Sequence, residues 1–135
     1  MTAVGSPRTV QEIMAIVAED YRRFPQAQTY ELYAPDVYFK DPVYEFRGLD
    51  QYRKMIGFIT TWFADLSLEL HAITAQENVI RTEWTMRWRG PLPWRPAIAV
   101  SGWTELVVNE RGQIVSHRDW WHISRWDLIR QHFPF

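Results

Sequence analysis

Residues 33–42 of the chain read YAPDVYFKDP, and the middle of this run has a strand pattern. Positions 37–40 alternate in character and are β-branched or aromatic, which predicts a short β-strand. The Asp-Pro pair that follows ends the strand, because proline cannot donate to a strand ladder. Alternate side chains of a strand share a face, which places three residues on the same side: Val37, Phe39 and Asp41.

Helices are predicted on both sides of this strand. Thr9 and Glu12 have the spacing of a capping box, and apolar residues then recur at helical intervals. A helix is therefore expected from Val10 to about Phe24, and a short helical stretch over residues 28–33. After the strand, Asp50 is a suitable N-cap for a helix over residues 51–64.

From residue 66 onward the apolar period changes to two, which indicates strands. The alternating runs cover residues 66–72, 80–89, 97–108 and 114–124. The last ten residues are expected to form one helical turn or a docked tail. Helices followed by long strands with short turns predict an α+β fold, in which the helices pack against one face of a curved antiparallel sheet.

Composition limits the class of protein. The 135 residues suit a single domain, and the absence of cysteine excludes disulfides, thiol catalysis and iron–sulfur clusters. The formal net charge of -1 argues against a general nucleic-acid binder. No apolar run approaches the roughly 18–20 residues of a membrane span. We therefore expect a soluble, cytoplasmic domain without a nucleic-acid or membrane partner.

Aromatic residues make up 16% of the chain and include 8 tryptophans. A buried tryptophan needs a partner for its indole N–H group. This abundance predicts an aromatic core, a lined ligand pocket, an oligomer interface, or a mixture of these. Composition alone does not divide them.

Several stretches resemble the NTF2-like superfamily, which includes the SnoaL-like polyketide cyclases and the steroid delta-isomerases. Residues 33–42, followed by FRGLD at residues 46–50, resemble its Y-x-x-D-V-x-F-x-D-P…G signature. The hairpin at residues 110–114 and the following His117-x-Asp119-x-Trp121 are also similar. Trp94 to Pro96 and Gly102 are closest to an uncharacterised branch found mainly in photosynthetic organisms.

The resemblance implies a cone-shaped α+β domain over residues 1–135, with a core at about 9–124 and a C-terminal tail at 125–135. A strongly bent sheet would wrap the helices, and a pocket would open at the wide end of the cone. The resemblance also implies a homodimer formed through the outer surface of the sheet.

Asp41 is the first candidate for acid–base chemistry. If the strand turns residues 37 and 39 inward, the carboxylate enters the pocket, where desolvation raises its pKa toward the range of a general acid or base. The resemblance places Asp41 at the position of the catalytic aspartate of the steroid isomerases. Alternatively, the carboxylate caps the strand–loop junction by accepting backbone N–H groups.

His117 and Asp119 form the second candidate, a base with its orienting partner. They lie two positions apart on a predicted strand, about 7 Å from each other, so direct pairing needs favourable rotamers. A contact of His117 with Asp41 across the cavity is one alternative, and a purely structural polar pair is another. The resemblance places His117, Asp119 and Trp121 on the pocket face.

Walls for an apolar ligand are expected from alternation over residues 80–89, where Trp84, Met86 and Trp88 share a face. The resemblance turns this face toward the pocket, and plain core packing is the alternative. The expected ligand contacts are Phe39, Trp84, Met86, Trp88, Thr104 and Trp121. Phenolic donors near the mouth could come from Tyr38, Tyr44 and Tyr52.

The oxyanion donors of the steroid isomerases are missing. The matching positions are Val17 and Thr104, of which only the Thr104 hydroxyl could donate a bond, and this disfavours steroid isomerisation. The histidines show no HExxH-type spacing, so neither a metal site nor a cofactor is predicted.

Three functions remain open from the sequence. The preferred one is a module that binds a small, largely apolar ligand oriented by Asp41, His117 and Asp119. The second is an acid–base enzyme of isomerase, cyclase or hydratase type, in which Asp41 or His117 moves a proton. The third is a dimeric scaffold without a ligand, its cavity filled by its own side chains.

Overall fold

The computed structural model describes residues 7–133; residues 1–6 and 134–135, which the expected domain and tail include, lie outside this range. Its elements are α1 (Val10–Arg23), a 3₁₀ turn (Tyr30–Leu32), β1 (Tyr33–Lys40), β2 (Glu45–Arg47), α2 (Leu49–Trp62), β3 (Ala64–Gln76), β4 (Val79–Arg89), β5 (Ala97–Val108), β6 (Ile114–Trp121) and α3 (Arg125–Gln131). Among these described residues, no helix has both the length and the apolar sequence needed to cross a membrane.

The first helix, α1, begins and ends where the sequence predicts. The Glu12 backbone N–H donates to Thr9 Oγ1 at 3.1 Å, and the Thr9 N–H donates to the Glu12 carboxylate at 2.8 Å, which completes the capping box. The helix ends at Arg23 because Pro25 disfavours helical backbone at the residue before it. The short helix expected over residues 28–33 is reduced to a single 3₁₀ turn.

The second helix, α2, starts two residues earlier than predicted. Its N-cap is Gly48, whose φ of 119° is a conformation that glycine adopts readily. Asp50, the predicted cap, lies in the first turn of α2, where its negative charge interacts favourably with the positive end of the helix dipole. The predicted cap was wrong because backbone conformation, and not a side-chain bond, starts this helix.

The strands pair into one sheet across the described residues, in the order β2-β1-β6-β5-β4-β3. Neighbouring strands are antiparallel except β1 and β6, which run parallel. A parallel pair requires a long connection, here α2 and the meander that follows it. The sheet is therefore mixed rather than antiparallel throughout, and the predicted α+β class is confirmed.

The apolar core lies between the helices and the inner face of the sheet. α1 packs against β3, and α2 packs against β1. The core has three parts. The part beneath α1 is aliphatic, and its buried members include Ile13, Leu32, Ile80, Leu106 and Ile114. The part along β4 is aromatic and includes Trp84 and Trp88, and the part beneath α2 is mixed and includes Phe39, Tyr52 and Ile56.

The predicted tail forms α3, which starts at a capping box of Ser124 and Asp127. β6 ends opposite Gly102, so Ala99 of β5 lacks a strand neighbour on that edge among the described residues. Gln131 takes that place: the Ala99 N–H donates to its Oε1 at 2.8 Å, and its Nε2 donates to the Ala99 carbonyl at 2.9 Å. The side-chain amide thus stands in for one residue of a strand.

Candidate functional site

A cavity of about 300 Å³ lies between the helices and the inner face of the sheet. Side chains two positions apart on β4 and on β6 project into it together, as alternation along a strand requires. All the site residues expected from the sequence border this cavity: Phe39, Asp41, Trp84, Met86, Trp88, Thr104, His117, Asp119 and Trp121. Three other lining residues, Val43, Tyr44 and Phe58, are exposed and mark its opening.

His117 and Asp119 are in direct contact. Nε2 of the imidazole lies 2.9 Å from Oδ1 of the carboxylate, and the two side chains are only 10% and 17% exposed. An ionised carboxylate can only accept, so Nε2 carries the proton and donates it. Of the two partners considered for His117 from the sequence, the described residues thus pair it with Asp119 and not with Asp41.

Thr104 joins this pair because the β5–β6 register sets it opposite Asp119. Its hydroxyl donates to Asp119 Oδ1 at 2.6 Å and accepts from the Trp84 indole N–H at 2.8 Å. A threonine hydroxyl has one proton. That proton is already committed to Asp119, so the donor that the sequence suggested for a ligand is used within the protein.

Tyr33 completes the cluster on the other side of the imidazole. Its hydroxyl lies 3.3 Å from His117 Nδ1 and donates to that nitrogen in the neutral ring. Burial raises the pKa of Tyr33 far above its usual range, so the phenol keeps its proton. Trp84, Thr104, Asp119, His117 and Tyr33 therefore form one continuous hydrogen-bonded cluster, here called the polar cluster.

Asp41 combines both interpretations considered from the sequence. Its Oδ1 accepts the backbone N–H groups of Val43, at 2.7 Å, and of Tyr44, so it does cap the turn after β1. It also borders the cavity, and burial raises the pKa of its carboxyl, an effect that the two backbone bonds oppose. The nearby Asp119 charge raises it further.

Several polar atoms of the lining side chains have no hydrogen-bond partner in the described part of the chain, and two of them bear on ligand binding. The first is Nε1 of Trp88, a residue that is only 6% exposed. The second is Oδ2 of Asp119, since both bonds to this carboxylate use Oδ1. The lining thus retains at least one spare donor and one spare acceptor.

The phenols expected near the mouth are divided. Tyr44 and Tyr52 border the cavity. Tyr38 does not border it, and its hydroxyl donates a 2.7 Å hydrogen bond to the Glu45 carboxylate.

Sequence reasoning missed Tyr33 and Tyr21 as cavity residues. The hydroxyl of Tyr21 is hydrogen-bonded to Thr82 Oγ1 at 2.8 Å. The available signal was its place on the apolar stripe of α1, where a phenol must find a partner. For Tyr33, which had been assigned to a helical stretch, no such signal was visible.

Val17 and Thr104, which the resemblance matched to the oxyanion donors of the steroid isomerases, both border the cavity. Neither offers it a free donor, because one is aliphatic and the hydroxyl of the other is committed. Within residues 7–133, no group of three or more His, Cys, Asp or Glu side chains is arranged to hold a metal ion.

The family described as "Uncharacterized conserved protein (DUF2358)" matches residues 11–117 of the chain. A comparison with curated proteins gives no match.

Solved structures similar to this chain include NTF2-like proteins. One from Burkholderia thailandensis has a TM-score of 0.77 at 14% identity, over 95% of this chain and 99% of that protein. A hypothetical protein with a ketosteroid isomerase-like fold from Catenulispora acidiphila, in complex with trimethylamine, has a TM-score of 0.72 at 16% identity. The match covers 92% of this chain and 94% of that protein. An LEH-like epoxide hydrolase of M. tuberculosis has a TM-score of 0.69 at 14% identity, over 90% of this chain and 89% of that protein. These likenesses confirm the predicted NTF2-like fold.

Proposed function

The chain belongs to the DUF2358 family, and we propose that its cavity binds a small, largely apolar molecule that carries polar groups in two separate parts. The observation behind this function is an aromatic cavity whose lining retains at least one spare donor and one spare acceptor.

The walls supply affinity without specificity. Trp84, Trp88 and Trp121 border the cavity with Met86 and Phe39, and burial of apolar surface is favourable by about 25 cal/mol per Å². A volume of about 300 Å³ is at the lower end of the range of ligand sites. A compact apolar molecule fits this space better than a peptide or a nucleotide.

The spare acceptor, Asp119 Oδ2, would bind a hydroxyl or N–H group of the ligand. Thr104 and His117 already hold the same carboxylate through Oδ1, so its orientation is set before the ligand arrives. A ligand bond to a pre-oriented group costs less conformational entropy than one to a mobile side chain.

The spare donor, Trp88 Nε1, would bind a carbonyl or ether oxygen. Trp88 lies four positions from Trp84 on β4, which separates their backbones by about 13 Å along the strand. Because Trp84 belongs to the polar cluster, the two spare groups serve different parts of the cavity. The expected ligand therefore has a donor in one part and an acceptor in another.

The experiment is native mass spectrometry of the protein as purified, followed by solvent extraction and identification of any adduct. Leu68 borders the cavity on β3, so Leu68→Trp should fill part of it and remove the adduct. Ser67 is its exposed neighbour, and Ser67→Trp adds the same ring to the opposite face as a control.

Binding would be refuted if repeated preparations carried no adduct and no small apolar alcohol or ketone raised the melting temperature. Retention of an adduct in the Leu68→Trp protein, folded by circular dichroism, would place the ligand outside this cavity.

A second function, an acid–base enzyme acting on the bound molecule, is favoured by the buried His117–Asp119 contact at 2.9 Å. In such an enzyme His117 or Asp41 would move a proton, and the raised pKa of Asp41 keeps part of it protonated at higher pH than an ordinary carboxyl.

The test uses the extracted ligand, returned to the protein in D₂O. Exchange of a C–H for deuterium, or conversion of the ligand, should occur with the wild type and stop with His117→Gln or with Asp41→Asn, according to which residue moves the proton. If the ligand binds but is recovered unchanged, the enzyme function is refuted and the binding function stands.

A further inference from the structure

Most of the exposed large apolar side chains come from three segments of the chain. Across residues 7–133, eight such side chains are exposed, and three of the eight border the cavity opening, namely Val43, Tyr44 and Phe58. Six of the eight, here called the aromatic face, come from α2, the loop at residues 90–96, and the C-terminal segment: Phe58, Trp62, Trp94, Trp126, Ile129 and Phe133.

The helices present this face by their spacing. In the C-terminal segment, Trp126, Ile129 and Phe133 recur at intervals of three and four, so they share one side, while Leu128 packs toward the cavity. Trp126 is 72% exposed. On α2, Phe58 and Trp62 are one turn apart, with ring centroids separated by 6.5 Å. Both helices therefore turn apolar side chains to the solvent.

The three segments meet in space. Trp62, Leu92 and Arg95 border one shallow groove between α2 and the loop. The loop also meets the C-terminal segment, because Trp94 Nε1 donates to the His132 carbonyl at 2.7 Å and its ring lies 6.1 Å from Phe133. The three segments that carry the aromatic face are thus neighbours in the fold, with the loop between the other two.

The charge on these segments is positive. Residues 55–63, 89–96 and 124–133 contain four arginines and one acidic residue, Asp127, which gives a formal charge of +3 in a chain whose total is -1. The arginines are all exposed: Arg89, Arg95, Arg125 and Arg130.

Tryptophan and phenylalanine beside arginine are typical of surfaces that lie in the interface of a lipid bilayer. A second copy bound here by a two-fold axis would set the same positive segments against each other. We propose that the aromatic face docks on a membrane surface that contains anionic lipid. The sequence had led us to expect no membrane partner.

Docking would also orient the cavity. Phe58 belongs to the aromatic face and borders the cavity, so the opening lies beside the docked surface. An apolar molecule could then pass between bilayer and cavity with little exposure to water. Membrane docking goes beyond the proposed ligand binding and can be tested without any ligand.

The experiment is co-sedimentation of the full chain with vesicles of phosphatidylcholine, alone or mixed with phosphatidylglycerol. We expect binding to the mixed vesicles, weakened by salt. Arg130→Gln should weaken it roughly fivefold, the effect of one arginine near an anionic surface. Trp126→Ala should weaken it as well, and Trp126 is exposed enough that the fold should not change.

Arg22→Gln is the matched control. Arg22 and Arg130 are both 77% exposed, and each pairs with an acidic residue three positions earlier, at 3.7 Å and 3.5 Å. Arg22 lies on α1, outside the aromatic face, so its loss should leave vesicle binding unchanged.

Equal binding of the Arg22→Gln and Arg130→Gln proteins, or no binding to the mixed vesicles, would overturn membrane docking. A dimer in sedimentation velocity that Trp126→Ala dissociates, without vesicle binding, would instead assign the face to contacts between copies of the chain.

Discussion

Trp84 and Trp88 lie on the same face of β4 and border the same cavity, but only one of their indole N–H groups is hydrogen-bonded within the described residues. Trp84 donates to Thr104 and so joins the polar cluster. Trp88 stacks on Phe63, with ring centroids 4.9 Å apart, and its N–H has no partner among the described residues. The indole N–H of Trp84 is therefore satisfied within the described part of the protein, and that of Trp88 is not.

The difference indicates which polar groups serve the fold and which are available to a ligand. A buried donor without a partner costs about 1–3 kcal/mol, so a protein retains one only where something compensates for it. At Trp84 the compensation is internal. At Trp88 it would come from the bound molecule.

The largest effect is expected from removing the acceptor shared within the polar cluster. Asp119→Ala leaves the donors of Thr104 and His117 unpaired, and buried bonds to a charged group contribute about 1.5–3 kcal/mol each. We expect the free energy of unfolding, measured by urea denaturation, to fall by about 3 kcal/mol. Asp119→Asn keeps an oxygen in place and should lose less. An unchanged stability for Asp119→Ala would mean that the cluster does not hold these strands.

The comparison itself is tested by a pair of matched substitutions. Trp84→Phe breaks the bond to Thr104, whereas Trp88→Phe removes a donor that has no partner among the described residues. Both lose similar apolar area, so Trp84→Phe should be the more destabilising by about 1–2 kcal/mol in urea denaturation. Equal losses would show that the two tryptophans are not distinguished by hydrogen bonding.

A smaller effect is expected at the far end of the polar cluster. Tyr33→Phe removes the 3.3 Å bond to His117 Nδ1, a long bond, and should cost about 0.5 kcal/mol. The ¹⁵N signal of Nδ1 should shift while that of Nε2 stays in place. A shift of Nε2 alone would contradict the assigned bond.

The smallest effect concerns Asp41 and depends on pH. Because folding raises its carboxyl pKa above 3.8, the stability that it contributes is present below that pH and is lost as pH rises through the raised pKa. Asp41→Asn stays neutral, so at pH 7 it should be more stable than the wild type by roughly a few tenths of a kcal/mol, the carboxyl being partly exposed. The difference should vanish below pH 3.8, as followed by thermal unfolding. A destabilised variant at pH 7 would contradict the direction of the shift.

The sequence was informative where alternation or a local motif determines structure. The capping box of Thr9 and Glu12 predicted the start of α1, and the period of two predicted which side chains of β4 and β6 share a face. These are properties of short segments, so they survive without knowledge of the fold.

Contacts that depend on strand register were not predictable. Thr104 meets Asp119 because of the β5–β6 register, and Tyr33 reaches His117 from a strand 84 positions away in the chain. No local sequence pattern predicts the parallel pairing of β1 with β6. The aromatic face is likewise assembled from three segments that are distant from one another in the chain.

The homodimer implied by the resemblance stays a prediction, as does the cytoplasmic location. Sedimentation velocity at several concentrations tests the first. The outer side of the sheet carries Trp103 and Trp120, whose rings stack 5.6 Å apart, and substitution there should dissociate a dimer formed through that surface.

The two hydrogen bonds between the Gln131 side-chain amide and the Ala99 backbone have a consequence for solubility. An unpaired strand edge is a template for pairing with other chains, and proteins that leave one open tend to aggregate. One glutamine amide, by imitating a neighbouring strand, closes this edge with a helix of only seven residues. A truncation that removed this short helix would bare that edge and could precipitate the protein while leaving the cavity walls on β4 and β6 untouched.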